Sequence, residues 1–424
     1  MKPYSTFIFE SYSFDPKTGQ IALRYSLDNE LKFEETLVFS QSSVSFDSAQ
    51  DDTALKRALF ALHLIGGISY YKTCCPKKIE IRSGVLGKEQ AQFWNMVYTK
   101  GLGEFFYKNN IDFRNLIQFP YTPNPTPSVL AKRVGISDHP KTLVPMGGGK
   151  DSTVTIEKLR ASDADITLFR MGSHPLINKI ANIANLPLLT VERHLSPILF
   201  ELNEQGALNG HIPITAYLSF LTIIIAILFD FEEVAMSNEK SASEGNREFN
   251  GEQINHQWSK SEEFEQLFQN YVRTFITPEI HYKNILRDLT EFEIAKEFCK
   301  YPQYFDDTTS CNTNWRLQTK DSRLQTAKWC GSCPKCAFVF ALFAAYLPKE
   351  TLLRIFGKNL FDDASLLPMY KQLLGQEGFK PFECVGTAEE TREAFALARK
   401  REEWNDTVMM NFFENIFPTT RHAH

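Results

Sequence analysis

The residue types best suited to chemistry are concentrated in Thr142–Leu159, TLVPMGGGKDSTVTIEKL. Leu143 to Met146 are apolar without alternation, which predicts a strand buried on both faces of a parallel sheet. Gly147, Gly148 and Gly149 follow, then Lys150, Asp151 and Ser152, after which Val154, Ile156 and Leu159 recur at roughly helical spacing. Strand, glycine turn and helix together aim backbone N–H groups and a positive helix terminus at an anion. Glycine suits the turn because the backbone takes unusual dihedrals and approaches its ligand closely. Lys150 adds positive charge, the hard oxygens of Asp151 suit magnesium, and Ser152 can cap the helix or bond a phosphate.

Two common phosphate loops do not fit. A Walker loop needs a hydroxyl residue where Asp151 stands, and no glycine follows Gly149 at the Rossmann spacing. GGGKDS, Gly147 to Ser152, resembles the SGGxDS loop of the PP-loop ATP pyrophosphatases. That resemblance implies ATP and magnesium, with cleavage to AMP and pyrophosphate while a substrate is adenylated. Gly147 stands where the family has serine, which removes one hydroxyl contact. The plain alternative is a glycine-rich turn that binds nothing.

A second cluster is CGSCPKC, with Cys330, Cys333 and Cys336, and Cys311 upstream. Two consecutive CxxC steps bring three thiols together, and Cys311 can complete a tetrahedral zinc site. Some PP-loop enzymes, such as the 7-cyano-7-deazaguanine synthases, carry a comparable site. A chemical alternative makes Cys311 and Cys336 a thiol base and acid; in a third, all four pack as small apolar residues. Between the two clusters, Val234–Asn246, VAMSNEKSASEGN, begins as a strand and breaks into a polar loop. Asn238, Glu239, Ser241 and Asn246 are its candidate phosphate, metal or substrate ligands, against the alternative of a solvated loop.

The elements that must position these residues form an α/β pattern. Strand and helix alternate after the glycine loop, with strands at Ile166–Met171 and Leu188–Val191 and a helix at Leu176–Ala184, as in a doubly wound parallel sheet of the PP-loop type. Ahead of it, alternation over Tyr4–Phe39 predicts a β-hairpin with a turn at Asp15–Gly19 and then a third strand. A helix with Gly66 and Gly67 packed closely or kinked, a strand at Lys78–Arg82 and a long helix over Lys88–Asn109 follow. Adjacent Cys74 and Cys75 read as core residues. The Pro-rich Tyr121–Ser128 marks a boundary between an N-terminal α+β domain, 1–125, and an ATP-binding catalytic domain, 126–348. Helices at Glu262–Phe275 and Glu291–Cys299 belong to the latter. A helical C-terminal region, 349–424, includes the amphipathic Glu389–Trp404 and no motif.

Composition excludes some classes. Hydrophobic content of 43% and charge of 23% are those of a globular chain, and a net charge of −5 gives no support for a nucleic-acid partner. Ile212–Phe229 lacks a charge, but Pro213, Thr215, Ser219 and Thr222, without flanking Lys or Arg clusters, predict a buried helix and no membrane insertion. The 8 cysteines in 424 residues and an N-terminus without an apolar signal core predict a reducing cytoplasm.

Taken in order, VPMGGGKDSTVTIEKL, NGHIPITAYLSF, SNEKSASEGN, ILRDLTEFEIAKEF and CGSCPKCAFVFALFAAYLP resemble one family, the UDP-N-acetylmuramoyl-L-alanyl-L-glutamate epimerases called MurL. The resemblance implies a UDP-sugar dipeptide substrate whose terminal L-glutamate is adenylated at its α-carboxylate. That glutamate is then inverted to the D form, with release of AMP and diphosphate. It makes Lys150, Asp151, His211, Cys311 and Cys336 the candidate catalytic residues. Gly147–Ser152 would grip pyrophosphate, and Asp151 with Glu239 would hold magnesium. His211 is a base, a polar contact or a capping residue, and Lys283 and Arg287 are possible partners for substrate carboxylates. The competing expectation is a PP-loop enzyme of nucleobase modification, a tRNA thiolase or deazaguanine synthase.

Overall fold

A computed structural model describes residues 3–40, 53–123, 139–315 and 328–418. Most of the Pro-rich boundary, from residue 124, and the final RHAH lie outside the described residues. Alternating side chains make an antiparallel meander of β1 (Thr6–Asp15), β2 (Gln20–Leu27) and β3 (Leu31–Phe39). β4 (Lys78–Ile81) lies parallel to β1. β5 (Lys141–Pro145), β6 (Asp165–Met171), β7 (Leu188–His194) and β8 (Glu233–Met236) follow, then the separate hairpin β9 (Arg247–Phe249) and β10 (Glu252–Ile254), and β11 (His281–Asn284).

The main sheet has nine strands in the order β11-β8-β5-β6-β7-β3-β2-β1-β4. From β11 to β7 every neighbour is parallel. The order reverses at β5, with β6 and β7 on one side and β8 and β11 on the other. Such a reversal opens a crevice at the carboxyl ends of the two central strands, and the glycine loop leaves β5 at that point. The uninterrupted apolar run in β5 has the expected cause: Leu143 is buried in one core and Val144 in the other, on opposite faces of the sheet. Phe169 and Leu168 of β6 divide in the same way.

β7 meets β3 antiparallel, with Thr36 opposite His194 and Phe39 opposite Val191, so meander and parallel half form one continuous sheet. Beside this join the buried carboxylate of Glu35 receives Arg193 at 2.9 and 3.1 Å, Tyr70 Oη at 3.0 Å and Tyr217 Oη at 2.6 Å. A buried carboxylate is tolerable only when surrounded by donors in this way.

The uncharged stretch forms the helix Ile214–Phe229, buried from Thr215 to Ala226 except at the half-buried Leu218. Its hydroxyls are satisfied locally, Ser219 donating to the Thr215 carbonyl and Thr222 to that of Ser219. No helix among the described residues is long and apolar enough to cross a membrane. The expected helix over Lys88–Asn109 is two helices, Lys88–Gly101 and Gly103–Lys108. They meet at Leu102, next to Gly101, which packs so closely on Pro213 that a Cβ would come within 2.8 Å of the proline ring. Gly67 has no room for a Cβ beside the Phe9 ring, the close packing expected of that pair. The helix Glu262–Tyr271 ends sooner than expected, in a wider turn over Val272–Ile276. C-terminal helices, including Pro334–Ala344 and Ala388–Lys400, complete the second core.

Candidate active site

Each glycine of the loop after β5 answers a different demand. Gly148 has φ +75°, the left-handed region that favours glycine. A Cβ on Gly149 would lie 2.7 Å from Ser310 Oγ, and the Thr309 N–H donates to the Gly148 carbonyl at 2.9 Å. Gly147 faces open space, with nothing within 4 Å of a built Cβ, so the loop has room there for a ligand or a serine. The helix Lys150–Arg160 then starts directly behind the loop, with Gly149 as its N-cap and no side chain capping its first N–H groups. The hydroxyls of Ser152 and Thr153 both turn back to the Gly149 carbonyl, at 3.2 and 3.1 Å, and stiffen this corner.

A chain of charges runs under the loop. The fully buried Lys150 ammonium pairs with both Asp151 and Glu291, and Lys335 Nζ reaches the other Glu291 oxygen at 3.0 Å. Burial alone would raise the Glu291 pKa, but Lys150 and Lys335 outweigh it and hold this carboxyl well below its ordinary value. Glu291 opens the helix Glu291–Phe298 behind a Thr290/Glu293 capping box, and its N–H donates to Glu390 Oε1 at 2.6 Å. The same Glu390 oxygen accepts the Ser241 hydroxyl at 2.6 Å.

The polar loop after β8 closes the other side. Asn238 N–H donates to Asn284 Oδ1 at 3.1 Å. Arg287 spends three nitrogens on Glu265, the Glu239 carbonyl and the Lys260 carbonyl, at 2.7, 2.8 and 2.8 Å, so it braces the loop instead of facing a substrate. Lys283 pairs with Glu233 at 2.7 Å at the edge of the sheet. Asn246 is likewise committed, donating to the Lys380 and Pro381 carbonyls and accepting from His256 N–H. Glu239 differs from all of these. Among the described residues none donates a hydrogen bond to its buried carboxylate, and burial with the nearby negative charges of Glu291 and Asp151 raises its pKa despite Lys260. A buried carboxylate lacking a donor, within electrostatic range of the Asp151 carboxylate, fits a hard divalent cation, which would relieve both.

All four cysteines of the second cluster converge, with their sulfurs within 4.8 Å of one another. Cys330 and Cys336 are 3.7 Å apart, and backbone N–H groups of Cys330 and Cys336 donate to the sulfurs of Cys311 and Cys333 at 3.4 Å. Four convergent sulfurs stabilised by amides fit a tetrahedral metal. Cys311 and Cys336 have no exposed surface, a poor position for groups that must touch a substrate. The cluster is mechanically tied to the loop, since Thr309, whose hydroxyl accepts from Cys311 N–H at 3.1 Å, also bonds Gly148.

His211 stands in a different group, its Nδ1 3.7 Å from Glu104 Oε2 and its ring 4.4 Å from that of His256. His256 Nδ1 bonds the same Glu104 oxygen. Lys260 lies within electrostatic range of both His211 and Asp151 and so couples this group to the loop. Sequence reasoning missed Glu291, Lys335, Lys260, Glu390, Glu104 and His256. Two left a trace: Glu291 opens a T-E-F-E capping signature, and Lys335 lies inside CGSCPKC.

Two family models and several curated relatives match the chain. The family model described as the MurL N-terminal domain matches residues 1–285, and the one described as the MurL C-terminal domain matches residues 307–424. The chain is 40% identical over 415 residues to the UDP-N-acetyl-alpha-D-muramoyl-L-alanyl-L-glutamate epimerase of Xanthomonas oryzae pv. oryzae, covering 98% of this chain and 90% of the relative. It is 37% identical over 424 residues to the protein of the same name from Salinispora tropica, covering 99% of this chain and 90% of that one.

Proposed function

The chain belongs to the MurL family, and from that premise we propose that it is an ATP-dependent, AMP-forming epimerase of the terminal L-glutamate in UDP-MurNAc-L-Ala-L-Glu. The observation that carries the reading is the glycine loop at the sheet reversal, backed by a lysine–carboxylate chain and an undonated Glu239. The chemistry explains why ATP is needed. A proton next to a carboxylate resists removal because the carbanion forms beside a negative charge. The α-carboxylate oxygen attacks the α-phosphorus of ATP, and the bond to pyrophosphate breaks. The resulting acyl-adenylate has no such charge and accepts the electron pair as an enolate. Loss of the α-proton, protonation of the opposite face and hydrolysis then give the D-glutamyl product and AMP.

In this reading the loop is a PP-loop. The N–H groups of Gly147–Gly149 and the start of the helix Lys150–Arg160 bind pyrophosphate, with Lys150 and Lys335 supplying positive charge beneath it. Asp151 and Glu239 would hold magnesium, which would screen the phosphates. The four cysteines would hold zinc as a structural clamp on Thr309 and, through it, on Gly148. ATP as substrate and reduced cysteines fit a reducing cytoplasm. The nucleobase-modifying alternative shares only the loop and the cysteines, whereas the family match runs through both ends of the chain.

The direct test incubates the protein with ATP, magnesium and UDP-MurNAc-L-Ala-L-Glu in D₂O. Deuterium is expected at the glutamate α-carbon, with AMP and D-glutamyl product, only when ATP is present. Exchange without ATP would end the adenylation account. A companion measurement concerns the cysteines. Structural zinc couples ligand binding to folding, so Cys330→Ser is expected to lower zinc content and thermal stability together. A fully active wild type free of metal would rule the clamp out.

A further inference from the structure

Cys384 belongs to none of the motifs, yet the structure holds it in a defined place. It lies in the loop before the helix Ala388–Lys400, and both ends of that loop are fastened to the site. Pro381 accepts from Asn246, and Glu390 accepts from Ser241 and from the Glu291 N–H. Between them the Val385 carbonyl accepts from Gln257 at 3.2 Å. Cys384 Sγ is 3.8 Å from His256 Nε2, and the Nδ1 of that ring bonds Glu104. Glu104, His256 and Cys384 thus form a line of carboxylate, imidazole and thiol. Such a line fixes the imidazole and lets it stabilise a thiolate.

The surroundings favour a charged sulfur. Burial pushes the thiol up, but Lys260, then His256 and Lys335, bring it down to about 7. Burial likewise lowers His256, but the Cys384 and Glu104 partners raise it to about 9. His211, lowered to about 3 by burial and by His256, stays neutral beside them. Lys260 and Lys335 are each within electrostatic range of Cys384 and also of Asp151 and Glu239. The thiol therefore faces the same pair of ammoniums as the carboxylates of the nucleotide site. It is also only half-buried, unlike Cys311 and Cys336.

We propose that Cys384, positioned by His256 and Glu104, is the catalytic residue that removes the α-proton of the adenylated glutamate. The proposal rests on the epimerase reading above. The Cα–H bond breaks, its proton bonds to Sγ, and its electron pair enters the enolate of the acyl-adenylate. A water molecule on the opposite face supplies the proton that forms the new Cα–H bond. The hydroxide left behind accepts the proton from the thiol, which restores the starting state. His256 and Glu104 do not touch the substrate in this scheme and act only through the sulfur.

The test separates activation from proton transfer. Cys384→Ser is expected to keep AMP formation within a few-fold of wild type while α-deuterium incorporation falls by at least about 100-fold, the usual range for a lost general base. His256→Gln should slow alkylation of Cys384 by iodoacetamide at pH 7 roughly tenfold, and raising the pH should restore the rate, because the thiol then titrates near its ordinary value. Deuterium exchange near the wild-type rate in Cys384→Ser would overturn the proposal. So would loss of AMP formation in step with exchange, or a tightly bound metal ion that disappears in both variants. A wild type that forms no AMP would instead refute the epimerase reading itself.

Discussion

Asp151→Asn should reduce AMP and pyrophosphate formation by about 10²- to 10³-fold, the usual consequence of deleting one electrostatic stabiliser of a developing charge. The fold should remain. Asn has the same shape, Asp151 is partly exposed, and Lys150 keeps Glu291 as its buried partner. Loss of activity with an unchanged melting temperature is therefore the expected pair of results. The product assay distinguishes the loop type. ADP and phosphate from the wild type, in place of AMP and pyrophosphate, would rule out a PP-loop.

Glu291→Ala should act on stability at least as strongly as on activity. It leaves the buried ammoniums of Lys150 and Lys335 without their shared carboxylate, and breaking a buried ion pair in this way costs about 3–5 kcal/mol. Denaturant titration would measure it, and a variant as stable as wild type would refute the buried charge chain. The same residue sets an acid limit. Its pKa is held at about 2, below the ordinary 4.5, so its contribution is complete above pH 4.5 and is lost as the pH falls toward 2. Glu291→Gln removes that titration, so its stability should vary less across this window than that of the wild type.

The sequence made the parallel half legible where local signals and tertiary demands agreed. The unbroken apolar run of Leu143 to Met146, the three glycines and the following helix each had one physical reading, and the structure has them in that arrangement. The same holds for the meander, whose alternation is a period-two signal. The long helix over Lys88–Asn109 is divided at Leu102, and the contact of the adjacent Gly101 with Pro213, far along the chain, is one that no local window reveals. The site divides similarly. Lys150 and Asp151 were visible in their loop, but Glu291 and Glu390 join them from distant segments with nothing local to mark their burial. His211 is visible in the sequence in a Gly-His-Ile-Pro turn before the buried helix, and only the fold reveals Glu104 and His256 beside it. Arg287 and Asn246 show the converse: polar residues in a promising loop whose donors the backbone has already taken.

The antiparallel join of β3 to β7 also constrains the chain while it is being synthesised. The meander leaves the ribosome early, but the edge of β3 has no partner until Leu188–His194 has emerged. An exposed edge strand is an invitation to pair with another nascent chain. Glu35, which Arg193, Tyr70 and Tyr217 enclose in the finished protein, stands next to that edge in the interval without its guanidinium, since Arg193 and Tyr217 emerge only with β7 or after it. An inward-pointing charge disfavours docking by a foreign strand, which has no guanidinium to meet it. The residue that locks the completed sheet thus guards it beforehand, and its neutral variant should aggregate during expression more than its folded stability would suggest.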